Sequence, residues 1–270
     1  MTARAGTKNL FRIILLIPSL LALFPFVYMI VTSLRQTYAM DLSFDLASLN
    51  FKNYATIFKN YDFARYFTNS LVVVVCACIG NGLISSLAAF GFAKKRFAGK
   101  DFIFWLYLAT LMIPSQVILV PMFVIIRELH ISNTYLALFL PIINAFGVFL
   151  IKQFMESIPD ELLEAARIDG SGELRVFFTI VIPLVKPVLV SLTVFTFITS
   201  WNDFVWPLIS ITNQKMSTLT LALSSLQGNY ATNYGLVMAG ATMTFLPPFI
   251  LYLFLQRQFV EGIALSGIKG

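Results

Sequence analysis

The chain has 270 residues, 58% of them hydrophobic and 12% charged, against about a quarter charged in a typical soluble domain. A soluble core could not hide so much apolar surface, since even a globule of about 300 residues buries only about 75% of what its unfolded chain exposes, so the composition excludes a water-soluble enzyme. The formal net charge of +6 does not mark nucleic-acid binding, because the Lys and Arg residues sit beside apolar runs, where orientation and lipid head groups account for them.

A helix crosses roughly 30 Å of hydrocarbon with about 20 apolar residues. Stretches of that kind predict an all-α polytopic membrane protein, one transmembrane domain over 1–270, with spans at about 13–34, 68–93, 102–126, 131–151, 183–205 and 234–255. The first apolar run, between Arg12 and Arg35, is longer than that of a secretory signal and lacks a small-residue cleavage site, so an uncleaved span is expected. The second carries Gly80, Gly82, Ser85, Ser86, Ala88, Ala89 and Gly91, a composition that lets helices approach closely. Cys76 and Cys78, two positions apart, point in different directions on a helix and form neither staple nor metal cage. Pro114 and Pro121 in the third span, Pro141 in the fourth and Pro247 and Pro248 in the sixth each remove a backbone donor and predict bends. The fifth span carries Lys186 and Asp203 near its ends.

With the N-terminus inside, thirteen of the nineteen Lys and Arg residues fall on interior segments. Both termini are therefore expected in the cytoplasm.

The interior segment 152–182 reads as two short helices. Ser157, Pro159 and Asp160 supply a side-chain cap, a proline in the first turn and an acid that suits the helix dipole. The first helix is expected to end at Asp169, with Gly170 taking the left-handed turn. Ser171 and Glu173 start the second, and Pro183 opens the fifth span. On the first helix Leu162, Leu163, Ala165, Ala166 and Ile168 form an apolar face, with Asp160, Glu161, Glu164 and Arg167 supplying charge. Such a helix either lies on the bilayer surface or docks into another protein's groove, and its adjacent small residues favour docking.

These residues resemble a known family. Glu164-Ala165-Ala166, Gly170, Ile180 and Ile182-Pro183 are similar, at the same spacings, to the EAA loop of binding-protein-dependent ABC transporter permeases, with Ile182 where the family usually has Leu. Asn53-Tyr54, Asn69-Ser70, Ile113-Pro114, Trp201-Asn202-Asp203 before Pro207-Leu208, and the glycine-rich tail Gly262–Gly270 resemble the carbohydrate-type, maltose-permease-G-like subfamily. The resemblance implies a type I importer permease fold with a cytoplasmic coupling helix. Glu164, Ala165, Ala166, Asp169 and Gly170 would then form the ATPase-coupling site. Glu164 would make a polar contact, the alanines would allow close approach, and Gly170 would allow the turn. The implied partners are a second permease subunit in a heterodimer, two ATPase subunits, an extracytoplasmic solute-binding protein and membrane lipid. The implied location is a bacterial inner membrane. The last outer loop would reach the solute-binding protein through Gln227, Gly228, Asn229 and Tyr230. The tail, too rich in glycine to form a stable helix alone, would gain order between the ATPase subunits.

The residues agree with delegated chemistry. No phosphate-cradling Gly-x-x-x-x-Gly-Lys-[Ser/Thr] loop is present, so ATP and magnesium belong on partner subunits, and this chain binds no cofactor. The single His130 has no ligand-forming neighbour in sequence, and neither a catalytic nor a metal site is expected. Aromatics make up 15% of the chain, and Trp201, Trp206, Tyr230 and Tyr234 bracket the last outer loop with several amides. They either meet sugar rings or form an ordinary interfacial belt. Asn81, Gln116 and Asn144, with Trp201 and Asn202, either line a substrate pathway or bond across helices. The expected function is the permease of a sugar or oligosaccharide importer. The alternatives are an ABC permease for glycerol-3-phosphate or another polar solute, and a stand-alone secondary carrier. A carrier would normally pair ionisable residues at mid-membrane, and the spans have almost none away from their ends.

Overall fold

The computed structural model describes the backbone of residues 2–38, 48–224, 226 and 233–267, and the side chains of residues 15–38, 48–224, 226 and 233–256. Among these residues the secondary structure is helical, with no strand. In chain order the helices are α1 (Thr2–Ser33), α2 (Lys52–Asn60), α3 (Phe63–Lys94), α4 (Lys100–Ala109), α5 (Ser115–Glu128), α6 (Tyr135–Phe139) and α7 (Ala145–Met155). There follow α8 (Asp160–Ile168), α9 (Glu173–Val176), α10 (Ile182–Leu184), α11 (Lys186–Trp201), α12 (Val205–Ser210), α13 (Leu219–Ser224) and α14 (Tyr234–Gly267).

Three segments, Leu15–Ser33, Phe63–Lys94 and Tyr234–Gln256, are long and apolar enough to cross a membrane unbroken. Three helix pairs are together long and apolar enough for a further crossing each, but are bent: Lys100–Met112 with Ser115–Glu128 at 104°, Tyr135–Ile142 with Ala145–Met155 at 47°, and Glu173–Leu184 with Lys186–Trp201 at 78°. Counting each pair once gives the six spans that apolar length predicts.

The bends have local causes, not all of them the expected prolines. Ile113 and Pro114 are both extended, because a residue before proline avoids the helical region and proline cannot donate to the preceding turn. Pro121 lies inside α5 without breaking it. In the fourth span Pro141 sits in a 3-10 turn, Leu140–Ile142, and the chain breaks just beyond it at Ile143 and Asn144. Around the expected fifth span, 183–205, the chain is already helical from Glu173, passes through a π-turn at Phe177–Val181, bends at Val185 and continues to Trp201. Pro183 therefore lies within a helical stretch rather than opening one. Pro247 and Pro248 lie within the unbroken α14. That helix continues to Gly267, so the first part of the glycine-rich tail prolongs the sixth span's helix rather than forming one alone; residues 268–270 lie outside the described residues.

The contacts divide the chain into two compact units, residues 1–64 with 222–247 and residues 65–221 with 248–270. In the first, α2 caps the end of α1. The Asn53 side-chain amide, 1% exposed, donates to the carbonyls of Ser33 at 2.8 Å and Arg35 at 2.7 Å, satisfying acceptors that a helix end leaves orphaned. Tyr54 and Ser33 hydroxyls bond at 2.7 Å. Gly235 passes this knot so closely that a Cβ would lie 1.9 Å from the Arg35 carbonyl oxygen.

The second unit repeats the device. Asn69, 3% exposed, donates to the carbonyls of Lys215 and Ser217, each at 2.9 Å, and accepts from the Tyr135 hydroxyl at 2.8 Å. Ser70 accepts from the Leu219 backbone at 2.8 Å. The small residues of α3 act unequally. A Cβ on Gly80 would meet Ile143 at 3.1 Å, whereas nothing lies within 4 Å of one on Gly82 or Gly91, so close approach concerns Gly80 alone of these three. One apolar core in this unit joins the ends of α3 and α7 to α8, α9, the π-turn and α11, through Phe90, Met155, Leu163, Val176 and Phe177.

Candidate functional site

The amphipathic α8 is built as its sequence dictates, with one exception at its start. Pro159 is the N-cap, and no side chain caps the helix. Ser157 instead donates to the Phe154 carbonyl at 2.7 Å, closing the preceding helix. The start is held from α3: the Lys94 ammonium, whose side chain is 5% exposed, reaches the Ile158 carbonyl at 2.6 Å and the Asp160 carboxylate at 2.7 Å.

The end follows the expected glycine stop. Gly170 has φ +78°, its N–H donates to the Arg167 carbonyl at 3.0 Å, and Ser171 N–H donates to the Ala166 carbonyl at 3.0 Å. That pair of bonds is the Schellman motif. A Cβ at Gly170 would touch nothing within 4 Å, so the requirement there is conformational. Beyond the turn Glu173 pairs with Lys95 and accepts from Arg167 Nε at 3.0 Å. The adjacent Lys94 and Lys95 thus grip the loop on either side of α8. Lys94 holds the Asp160 carboxyl below its ordinary value by hydrogen bond and charge. The Lys95 hydrogen bond does the same for Glu173, outweighing desolvation, with Arg167 adding a lesser hydrogen bond and charge.

The two faces of α8 separate sharply. Leu163 and Ala166 point into the core at 1% and 9% exposure, while Glu164, Ala165, Asp169 and Gly170 lie exposed. The two alanines therefore differ: Ala165 can meet a partner, and Ala166 packs inside its own chain. The outward face also carries Leu162 at 49%, Ile168 at 85% and, after the turn, Leu174 at 70% exposure. The expected apolar face therefore splits, with Leu163 and Ala166 inward and Leu162, Ala165 and Ile168 outward, as the helical period places Ile168 four positions after Glu164 and away from Leu163. Leu174, beyond the turn, is the surface residue that sequence reasoning did not put forward.

The expected pathway residues do not assemble into one lining. Asn81 is 2% exposed, donates to the Thr196 hydroxyl at 2.9 Å and accepts from Ser85 at 2.9 Å. It bonds helices together, where Gly147 leaves only 2.5 Å between a notional Cβ and Ser85 Oγ. Trp201 is 2% exposed, stacked on Phe197 at 5.7 Å and edge-on to Phe67 at 5.8 Å. Both side chains are engaged in contacts between or along helices of this unit. Asn202 is exposed at the end of α11, its amide turned back on the Ile198 carbonyl at 2.9 Å. Gln116 and Asn144 are exposed beside the two breaks, Asn144 capping α7 by accepting from Phe146 N–H at 3.0 Å. Gln227–Tyr230 lie outside the described residues.

Lys152 Nζ lies over the Phe104 ring, 4.3 Å from its centre, and α7 also packs on the Thr110–Met112 turn. Among the described residues no group of three His, Cys, Asp or Glu side chains could hold a metal.

Comparison with known proteins decides the family. Residues 80–264 match the family described as "Binding-protein-dependent transport system inner membrane component". The chain belongs to this family. As a permease of that family it is a membrane-embedded transport subunit. The arabinooligosaccharides transport system permease protein AraQ of Halalkalibacterium halodurans is 35% identical over 257 residues, 93% of this chain and 92% of that relative. The sn-glycerol-3-phosphate transport system permease protein UgpE of Pectobacterium atrosepticum is 37% identical over 204 residues, 74% of this chain and 73% of that relative. A solved bacterial ABC transporter involved in the import of the acidic polysaccharide alginate has the same permease fold, with TM-score 0.81, 23% identity and coverage of 93% of this chain and 95% of that one.

Proposed function

We propose that this permease translocates a sugar or oligosaccharide as one half of a pore, paired with a second permease subunit and driven by two ATPase subunits that carry the ATP and magnesium. Both termini and 152–182 face the cytoplasm, and an extracytoplasmic solute-binding protein delivers the solute, with Gln227–Tyr230 within its reach. The observation that carries this reading is α8. A nine-residue helix, stopped by Gly170 and gripped by Lys94 and Lys95, presents Leu162, Ala165 and Ile168 outward, a surface suited to a cleft in another protein. ATP-driven closure of the ATPases would draw two such helices together and turn the cavity outward.

The pathway is assigned to Gln116 and Asn144. Backbone that leaves the helical state at membrane depth is tolerated only where protein or a water-filled cavity satisfies it, and these two exposed amides sit beside such breaks. The sugar reading is favoured over glycerol-3-phosphate because the arabinooligosaccharide relative matches across 93% of the chain and the glycerol-3-phosphate relative across 74%. The test is to purify the tagged chain from its native membranes, identify what accompanies it, and measure uptake of labelled arabinooligosaccharide, lactose and glycerol-3-phosphate in reconstituted vesicles. An accompanying ATPase and ATP-dependent oligosaccharide uptake are expected. Absence of any ATPase would overturn the reading, and uptake of glycerol-3-phosphate alone would overturn its substrate.

A further inference from the structure

We propose that the turn between α3 and α4 holds the phosphate of an anionic phospholipid. The inference depends on the membrane reading of α4 but not on which solute is carried or which partners assemble. Four cations lie within seven residues here, Lys94, Lys95, Arg96 and Lys100. Two are already committed to the loop, Lys94 to Asp160 and Lys95 to Glu173. The other two, Arg96 and Lys100, make no ion pair among the described residues and line a surface depression of about 300 Å³ with Phe97, Gly99, Asp101 and Phe102. That volume lies at the lower end of clefts that bind small ligands.

The surroundings favour a lipid over a soluble anion. Phe97 and Phe102 on the rim are 45% and 73% exposed, and the next turn of α4 presents Ile103, Trp105 and Leu106 at 46%, 69% and 62%. Apolar and aromatic exposure directly beyond the cations suits acyl chains on one side and a head group on the other. The turn is set by Gly99, at φ +77° in the N-cap position, with no side chain capping α4. Lys100 N–H donates back to the Phe97 carbonyl at 3.4 Å, closing the turn and keeping both cations on the lining of the depression. Asp101 contributes the one opposing charge in the lining, so the site carries a single net positive charge. It recognises one phosphodiester rather than a multiply charged head group.

The test measures lipid retained by the tagged complex after extraction from nanodiscs of equal parts phosphatidylcholine and phosphatidylglycerol, read by mass spectrometry. The intact protein should keep phosphatidylglycerol selectively. Each cation near an anionic surface is worth roughly fivefold in partitioning, so the double variant Arg96→Gln, Lys100→Gln should lose roughly thirtyfold. Arg96→Lys with Lys100→Arg should keep retention, and Asp101→Asn should raise it. The control pair Lys59→Gln, Lys215→Gln removes the same charge from exposed positions elsewhere and should change nothing. Equal retention in the glutamine double variant, or an equal loss in the control pair, would overturn the site. Displacement of the lipid by inorganic phosphate would reassign the depression to a soluble anion and overturn the lipid. An ATPase that still accompanies a double variant whose lipid retention is unchanged would leave the transport reading standing while the lipid site falls.

Discussion

Truncating Ile168 separates docking from folding. The side chain is 85% exposed, so the folded chain gains almost nothing from it, and a partner that covers it gains nearly the whole transfer energy. Full burial of an isoleucine is worth about 1.5–3 kcal/mol. Alanine retains one of its four side-chain carbons, so Ile168→Ala should weaken docking by about 1–2 kcal/mol, a factor of roughly 5 to 30. Its counterpart five residues earlier, Leu163, is 1% exposed in the core shared with Val176 and Phe177. Leu163→Ala should cost about 2–5 kcal/mol of stability and remove nothing from the outer surface. Both variants would be placed in nanodiscs, with binding of the accompanying ATPase subunit titrated and unfolding followed by temperature. Ile168→Ala should bind more weakly at an unchanged Tm, and Leu163→Ala should melt lower while its folded fraction binds normally. Wild-type affinity in Ile168→Ala would refute the argument that this face is the docked one.

Gly170→Ala should lower Tm and uncouple ATP hydrolysis from uptake, because a left-handed residue with a Cβ costs about 1–2 kcal/mol, and Gly170→Asn should do so less; equal uptake in both would contradict it. Gly235→Ala should destabilise by at least about 1–3 kcal/mol, since its Cβ would strike the Arg35 carbonyl, while Gly82→Ala, with open space around it, should melt like the parent. The carboxyls of Asp160 and Glu173 are held below their ordinary values of 3.8 and 4.5, so their contribution is complete above those values and is lost as pH falls through the lowered ones. Exchange protection of 157–174, corrected for intrinsic rates, should therefore stay level from neutrality to about pH 5 and fall only in stronger acid; a fall between neutrality and that point would refute the pairing. Cysteines placed at Ser171 and Asn60 should label from opposite sides, with an impermeant reagent on intact spheroplasts reaching Asn60 only.

The sequence makes α8 legible because its determinants are local. Acids in the first turn, an amphipathic period and a glycine fix its limits to within a residue or so. Ser157 misleads because a hydroxyl between two helices can close the first instead of capping the second. The Asn69 clamp is not legible as geometry, since its carbonyl partners lie 146 and 148 positions away, and the pairing of Lys94 with Asp160 spans 66. Asn81 and Trp201 could not be assigned a direction, because a span apolar all round gives no face to read. Pro114 announces its break through two extended residues. The bend at Val185 is hidden between Pro183 and Pro187, both at early-turn positions of short helices, where proline is ordinarily tolerated.

The longest element of the second unit has a handle at each end. Lys94 and Lys95 hold α8 at the end of α3, and Asn69 holds the Lys215–Ser217 turn near its beginning. The 25 steps from Asn69 to Lys94 run along one uninterrupted helix and span about 38 Å. Unlike the three bent spans, this rod has no joint at which movement could be absorbed. On the coupling role proposed above for α8, a push on it would reach the turn at the opposite end as displacement rather than be dissipated as bending, and the hydrogen bonds of Asn69 are where it would become mechanically visible.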